Sequence, residues 1–103
     1  MIYLILASTY KQSKLVDDAI IPFYCTEKDL AESAIRILLA KMYKKLENAG
    51  RKPRMESSYD SQAIAKGKCR VYFQYDKKPA YMVFRLYELP KATSRDDIRE
   101  RLE

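Results

Sequence analysis

The sequence predicts an α+β fold: an antiparallel or mixed sheet of about four strands in ββαββα order, with one long helix packed on one face and a short C-terminal helix. Three observations carry this. Residues 26–50 place apolar side chains at three- and four-residue steps, the period of an amphipathic helix. Residues 68–89 alternate about a central turn, the period of a hairpin. Residues 1–8 are apolar at most positions, as in a strand buried inside a sheet.

Taken in order, residues 1–8 form the first strand. Ile2, Leu4 and Leu6 fall on one face and Tyr3 and Ile5 on the other, so it is expected in mid-sheet, covered on both sides. Residues 9–18 are polar and fit either a loop or a short helical turn. Residues 19–25 read as a second strand. Pro22 has no N–H for the ladder, which places that strand at an edge.

The long helix follows. Thr26 stands at the N-cap position with Asp29 three residues on, close to a capping box. Glu27, Asp29 and Glu32 at the start and Lys41, Lys44 and Lys45 at the end complement the helix dipole. Ala31, Ile35, Leu38, Leu39, Met42 and Leu46 share one face. Burying each large member of that stripe is worth roughly 1.5–3 kcal/mol, so it demands a partner surface. Gly50 is placed for a left-handed C-terminal cap.

Residues 51–66 carry Pro53, a polar run over 56–62 and scattered cations, and read as a linker or loop. Residues 68–75 and 80–89 are the strands of the hairpin, with a four-residue loop over 76–79. Pro90 ends the second strand. Ser94 and Asp97 resemble another capping box, opening a short helix with Ile98 and Leu102 on one side.

A chain of 103 residues, nearly half apolar and with only two glycines, is expected to fold as a single domain. No apolar run approaches the ~20 residues of a membrane span. The run over residues 2–7 is short and has no basic residue before it, unlike a signal peptide. A cytoplasmic protein without membrane contact is the expectation. Cys25 and Cys69 are too few for a disulfide scaffold and lack metal-ligand spacing, so two reduced, partly buried thiols are expected. The absence of histidine removes the commonest general base, nucleophile partner and metal ligand. No cofactor or metal is implied.

The net charge of +6 is unevenly spread. Between residues 36 and 54 there are seven basic residues and one acid, Glu47. The lysines at the helix end follow from the dipole alone. Arg51, Lys52 and Arg54 do not. With Lys41, Lys44 and Lys45 they make a candidate basic patch for phosphates or for an acidic protein surface.

The hairpin supplies the second candidate. Successive strand residues point to opposite faces. Cys69, Val71, Phe73, Tyr75, Met82, Phe84 and Leu86 make the better hydrophobic surface and are assigned to the long helix. The other face carries Arg70, Tyr72, Gln74, Tyr81, Val83, Arg85 and Tyr87. Tyrosine and arginine are enriched at protein-binding hot spots. They also stack bases and neutralise phosphates. The same residues simply fit a solvated pleat. The glycine-and-aromatic signature of RNA-recognition strands is missing; Gly67 is the only glycine near the hairpin.

Catalytic signals are weak. Asp76-Lys77-Lys78 has the Asp-x-Lys spacing of some metal-dependent nucleases, with Glu56 or Asp60 as the further acid required, but turn chemistry explains the triplet. Asp17-Asp18 and Asp96-Asp97 are adjacent pairs whose side chains diverge. Ser57, Ser58, Tyr59 and Ser61 have no base partner in view. Cys25 lies before a helix N-terminus, which lowers a thiol pKa, yet it lacks a histidine.

The expectation is therefore a non-enzymatic small binding protein. It would act through a Tyr/Arg sheet face (Arg70, Tyr72, Gln74, Tyr81, Arg85, Tyr87) and a basic helix end. Size and character fit a phage-type inhibitor of a host or antiviral protein machine. Homodimerisation is compatible, because an apolar inner strand needs cover on its second face. The alternative is a protein that binds single-stranded nucleic acid or RNA.

Overall fold

The computed structural model describes residues 1–55, 63–64 and 69–102. The chain is α+β with one antiparallel sheet. Its described elements are β1 (Ile2–Lys11), β2 (Lys14–Ile20), α1 (Lys28–Asn48), β3 (Arg54–Met55), β4 (Cys69–Tyr75), β5 (Lys78–Leu89) and α2 (Arg95–Leu102). The sheet order is β2-β1-β5-β4-β3. The order of these described elements is thus ββαβββα, with five strands rather than four. The additional strand is two residues long, too short to show a period. It arises because the chain leaving α1 runs along the edge of β4: the Gln74 amide donates to the Arg51 carbonyl at 2.9 Å, and Arg54 and Met55 pair with Tyr72 and Val71.

The N-terminal hairpin departs most from the sequence reading. β1 extends to Lys11, and β2 occupies Lys14–Ile20 rather than residues 19–25. Gln12 and Ser13 form the two-residue turn with φ of 52° and 65°. Positive φ at both central residues is the requirement of a type I′ turn, which Asn-Gly usually announces and which nothing announces here. A bulge between Thr9 and Tyr10, opposite Val16, breaks the alternation as well. Beyond β2 the chain still accompanies β1: Ile21 N–H donates to the Ile5 carbonyl, and Tyr3 and Cys25 exchange backbone bonds across Pro22. The β4–β5 loop is likewise two residues, Asp76-Lys77 with φ of 51° and 63°, not four.

α1 starts later than Thr26. Its N-cap is Glu27, which makes no side-chain capping bond. Its C-terminus is as expected. Gly50 has φ +72°, its N–H donates to Glu47, and Arg51 N–H donates to Leu46. Those two bonds are a Schellman cap. Ala31, Ile35, Leu39 and Leu46 are buried, with Leu38 and Met42 packed beside them. They meet Ile5 of β1, Cys69, Val71 and Phe73 of β4, and Ala80 and Phe84 of β5; Ile64 is buried in the same core. Glu32 is buried too, 4.0 Å from Arg36 across one helical turn.

β1 lies inside the sheet but is covered from one side. Its second face, with Ile2, Leu4 and Leu6, stays half-buried because no described element packs on it. α2 forms where expected: Asp97 N–H donates to Ser94 Oγ, and Thr93 N–H donates to the Asp97 carboxylate. None of its residues is buried. Cys25 and Cys69 are separate thiols, half-buried and buried.

Candidate functional site

The open face of the sheet is set by register. Pairing aligns Arg54, Tyr72, Tyr81 and Tyr10 in one row across β3, β4, β5 and β1. The next row is Arg70, Val83, Ser8 and Asp18; the next is Arg85, Leu6 and Ile20; then come Tyr87 with Leu4 and Leu89 with Ile2. The face therefore has two ends. Near the turns it is aromatic and cationic. At the far end it is apolar.

At the cationic end the rings are already engaged. Tyr10 and Tyr81 stack with centroids 4.9 Å apart and planes 15° from parallel. The Arg70 guanidinium sits 4.9 Å from the Tyr81 centroid, and Tyr72 tilts against Tyr81 at 5.9 Å. Arg54 lies 5.0 Å over the Tyr72 ring. The nearby Tyr10 phenol, above all other causes, raises the Arg85 guanidinium pKa above its ordinary value. Arg85 and Tyr10 belong to rows on either side of Val83 and Ser8, so the pair arches over both. That explains why Val83 and Ser8 are buried on a face that no helix covers. Ser8 Oγ donates to Asp18 at 2.7 Å beneath the same arch. The result is a cluster of mutually packed rings and guanidinium groups that stay partly exposed.

Of the residues expected on this surface, Arg70, Tyr72, Tyr81 and Arg85 are gathered in the cluster. Gln74 lies beyond it towards the turn, and Tyr87 stands at the apolar end. Sequence reasoning omitted Tyr10 and assigned Arg54 to the basic patch instead of this face. Tyr10 was hidden by the undetected hairpin and Arg54 by the two-residue strand.

The basic patch is not one surface. Lys41, Lys44 and Lys45 are exposed on α1, in the layer on the other side of the sheet. Arg51 turns to Tyr75, 4.4 Å from its ring centroid, where Lys11 also lies at 3.4 Å. Lys52 and Arg54 instead line an edge cavity of about 390 Å³ with Tyr72, Gln74 and Lys77. The Asp-x-Lys triplet occupies the tight turn and the start of β5. Glu56, Asp60, Ser57, Ser58, Tyr59, Ser61 and Gly67 lie outside the described residues. Among the described residues no three His, Cys, Asp or Glu side chains gather as a metal site, and no helix is long and apolar enough to cross a membrane.

Comparison with protein-family models, curated proteins and solved structures finds no match to this chain.

Proposed function

We propose that this chain is a non-catalytic protein-binding module whose contact surface is the open sheet face around Arg54, Arg70, Tyr72, Tyr81, Arg85 and Tyr10. One observation carries the reading. Tyr81 is held between the stacked Tyr10 ring and the Arg70 guanidinium, and Arg54 covers Tyr72, so the cluster offers fewer free stacking platforms than fixed rings and charges. Base stacking needs an open π-face. A protein interface needs rigid Tyr and Arg anchors with little entropy left to lose. The fixed guanidinium groups favour an acidic partner surface. A phage-type inhibitor of a host or antiviral machine is the kind of protein this reading describes.

The test is capture from native-host lysate by wild type and by Tyr72→Ala with Arg85→Ala, both checked for native circular dichroism. A partner held by wild type and lost by the variant supports the reading. Equal capture by both overturns it.

Nucleic-acid binding is the second reading, favoured by the cavity at Lys52, Arg54 and Lys77, which no acid lines. It requires log affinity for a single-stranded oligonucleotide to fall by about 0.7 per phosphate contacted as log salt rises. No binding at low salt removes it.

A further inference from the structure

The apolar end of the open face holds a cavity of about 190 Å³ lined by Leu4, Ile5, Leu6, Ile20, Tyr87 and Leu89, with no polar atom facing it. Ile20 is 64% exposed. The same molecule carries an apolar stripe without a seat. Ile98 and Leu102, one turn apart on α2, are 46% and 82% exposed. α2 has eight residues, all clear of the core. Isolated helices shorter than about 12–15 residues are marginal in water even when well capped. A helix this short, written with a cap and an apolar stripe, needs a surface to lie on.

We infer that two copies of this chain exchange α2 helices, each laying Ile98 and Leu102 into the apolar cavity of the other. Several observations select a second copy as the occupant. The structure leaves α2 off its own sheet: none of its residues is buried, and it makes no substantial contact with another described element. Reciprocal exchange of a projecting element is a low-cost route to a two-fold dimer, and it fills both cavities at once. The charges agree. The Ile98–Leu102 stripe is flanked on one side by Arg95 and Arg99, while Arg101 on the other side pairs with Asp97 at 3.1 Å. Ile20 has Asp18 two residues away on the same face; one carboxylate oxygen accepts from Ser8, and the exposed side chain can meet an arginine of the incoming helix through the other. Pairing through the free edge of β2 is disfavoured by the bulge opposite Val16 and by Asp17 and Asp18, the usual devices against edge-to-edge association. The inference concerns the apolar end of the face and stands apart from the partner-binding reading of the cationic end.

The test is sedimentation equilibrium of the full chain from low to high micromolar concentration, with wild type, Ile98→Asp with Leu102→Asp, and Ile20→Asp. Wild type is expected to be a dimer. Each variant should weaken association by roughly tenfold or more with unchanged circular dichroism, since all three side chains are exposed in the monomer. Mixing a Leu102→Cys chain with an Ile20→Cys chain and oxidising should give an inter-chain crosslink. A wild-type monomer throughout, a dimer indifferent to the helix substitutions, or a crosslink confined within a Leu102→Cys, Ile20→Cys chain would each overturn the inference. The last outcome would mean that α2 folds back on its own sheet.

Discussion

Phe84 and Tyr72 lie on adjacent strands of one hairpin, yet their truncation should differ sharply. Phe84 is 1% exposed on the helix face, packed in the core that Ile35 and Leu39 cover. Phe84→Ala removes a fully buried ring and leaves a hole that a sheet-and-helix sandwich fills poorly, a loss of about 3–5 kcal/mol. Against a total of roughly 5–15 kcal/mol, that consumes much of the stability. Tyr72 is half-exposed on the other face. Tyr72→Ala gives up its tilted contact with Tyr81, worth about 0.5–1.5 kcal/mol, and the Arg54 guanidinium over its ring, worth about 0.5–1 kcal/mol. The sum is about 1–2.5 kcal/mol. Urea unfolding followed by far-ultraviolet circular dichroism separates the two, because the midpoint falls in proportion to the loss while the slope stays constant. Equal losses, or the larger loss for Tyr72→Ala, would refute the two-sided sheet on which the proposed binding surface depends.

Lys77→Gly should stabilise the chain by ~0.5–1 kcal/mol, because glycine relieves a left-handed lysine at φ 63° in the turn while giving back part of the gain in unfolded-state entropy; the urea midpoint reads it. Gly50→Ala should cost about 1 kcal/mol for conformational reasons alone, since an added Cβ meets nothing within 4 Å and only the φ of +72° opposes it; a neutral result would argue against the Schellman cap. Asp97 is held below its ordinary pKa of 3.8, first by the Thr93 amide and then by Arg101. A carboxylate with a depressed folded-state pKa contributes stability that is present above 3.8 and lost as pH falls through the lower folded value. The Thr93 amide proton should therefore titrate in NMR with a midpoint below 3.8, and the titration should vanish in Asp97→Asn; a midpoint at or above the ordinary value would deny the cap.

Long periods were legible in the sequence and short ones were not. The stripe from Ala31 to Leu46 repeats over four turns, and its buried members are those the period selects. The β4–β5 alternation likewise divides Phe73 and Phe84 from Tyr72 and Arg85 correctly, even though the loop is shorter than expected. The N-terminal hairpin was illegible because both of its usual signals are missing. Gln12 and Ser13 adopt positive φ without glycine or asparagine, and Asp17-Asp18 after a bulge erases alternation on an edge strand exposed along its whole length. The charge cluster over residues 36–54 misled for a different reason. Proximity in sequence does not survive a helix end, where the Schellman turn sends Arg51 to one side of the sheet and Arg54 to the other.

The polarity of the open face arises from these same details. Ser8 and Val83 are small enough to lie under the Tyr10–Arg85 arch, so the cationic end can close over them without a helix. One step further along β1 and β5, Leu6 and Leu4 are paired with Arg85 and Tyr87, and beyond Arg85 no further long cationic side chain is available to span them. The arch therefore ends there, and bare apolar surface lies beyond it. Under the two proposals made above, a sheet left half-roofed in this way would take a charged partner where its own side chains already hold the geometry, and an apolar cover where they do not. The projecting α2, with Ile98 and Leu102 exposed on one stripe, is the element that the proposed exchange would bring to the second of these.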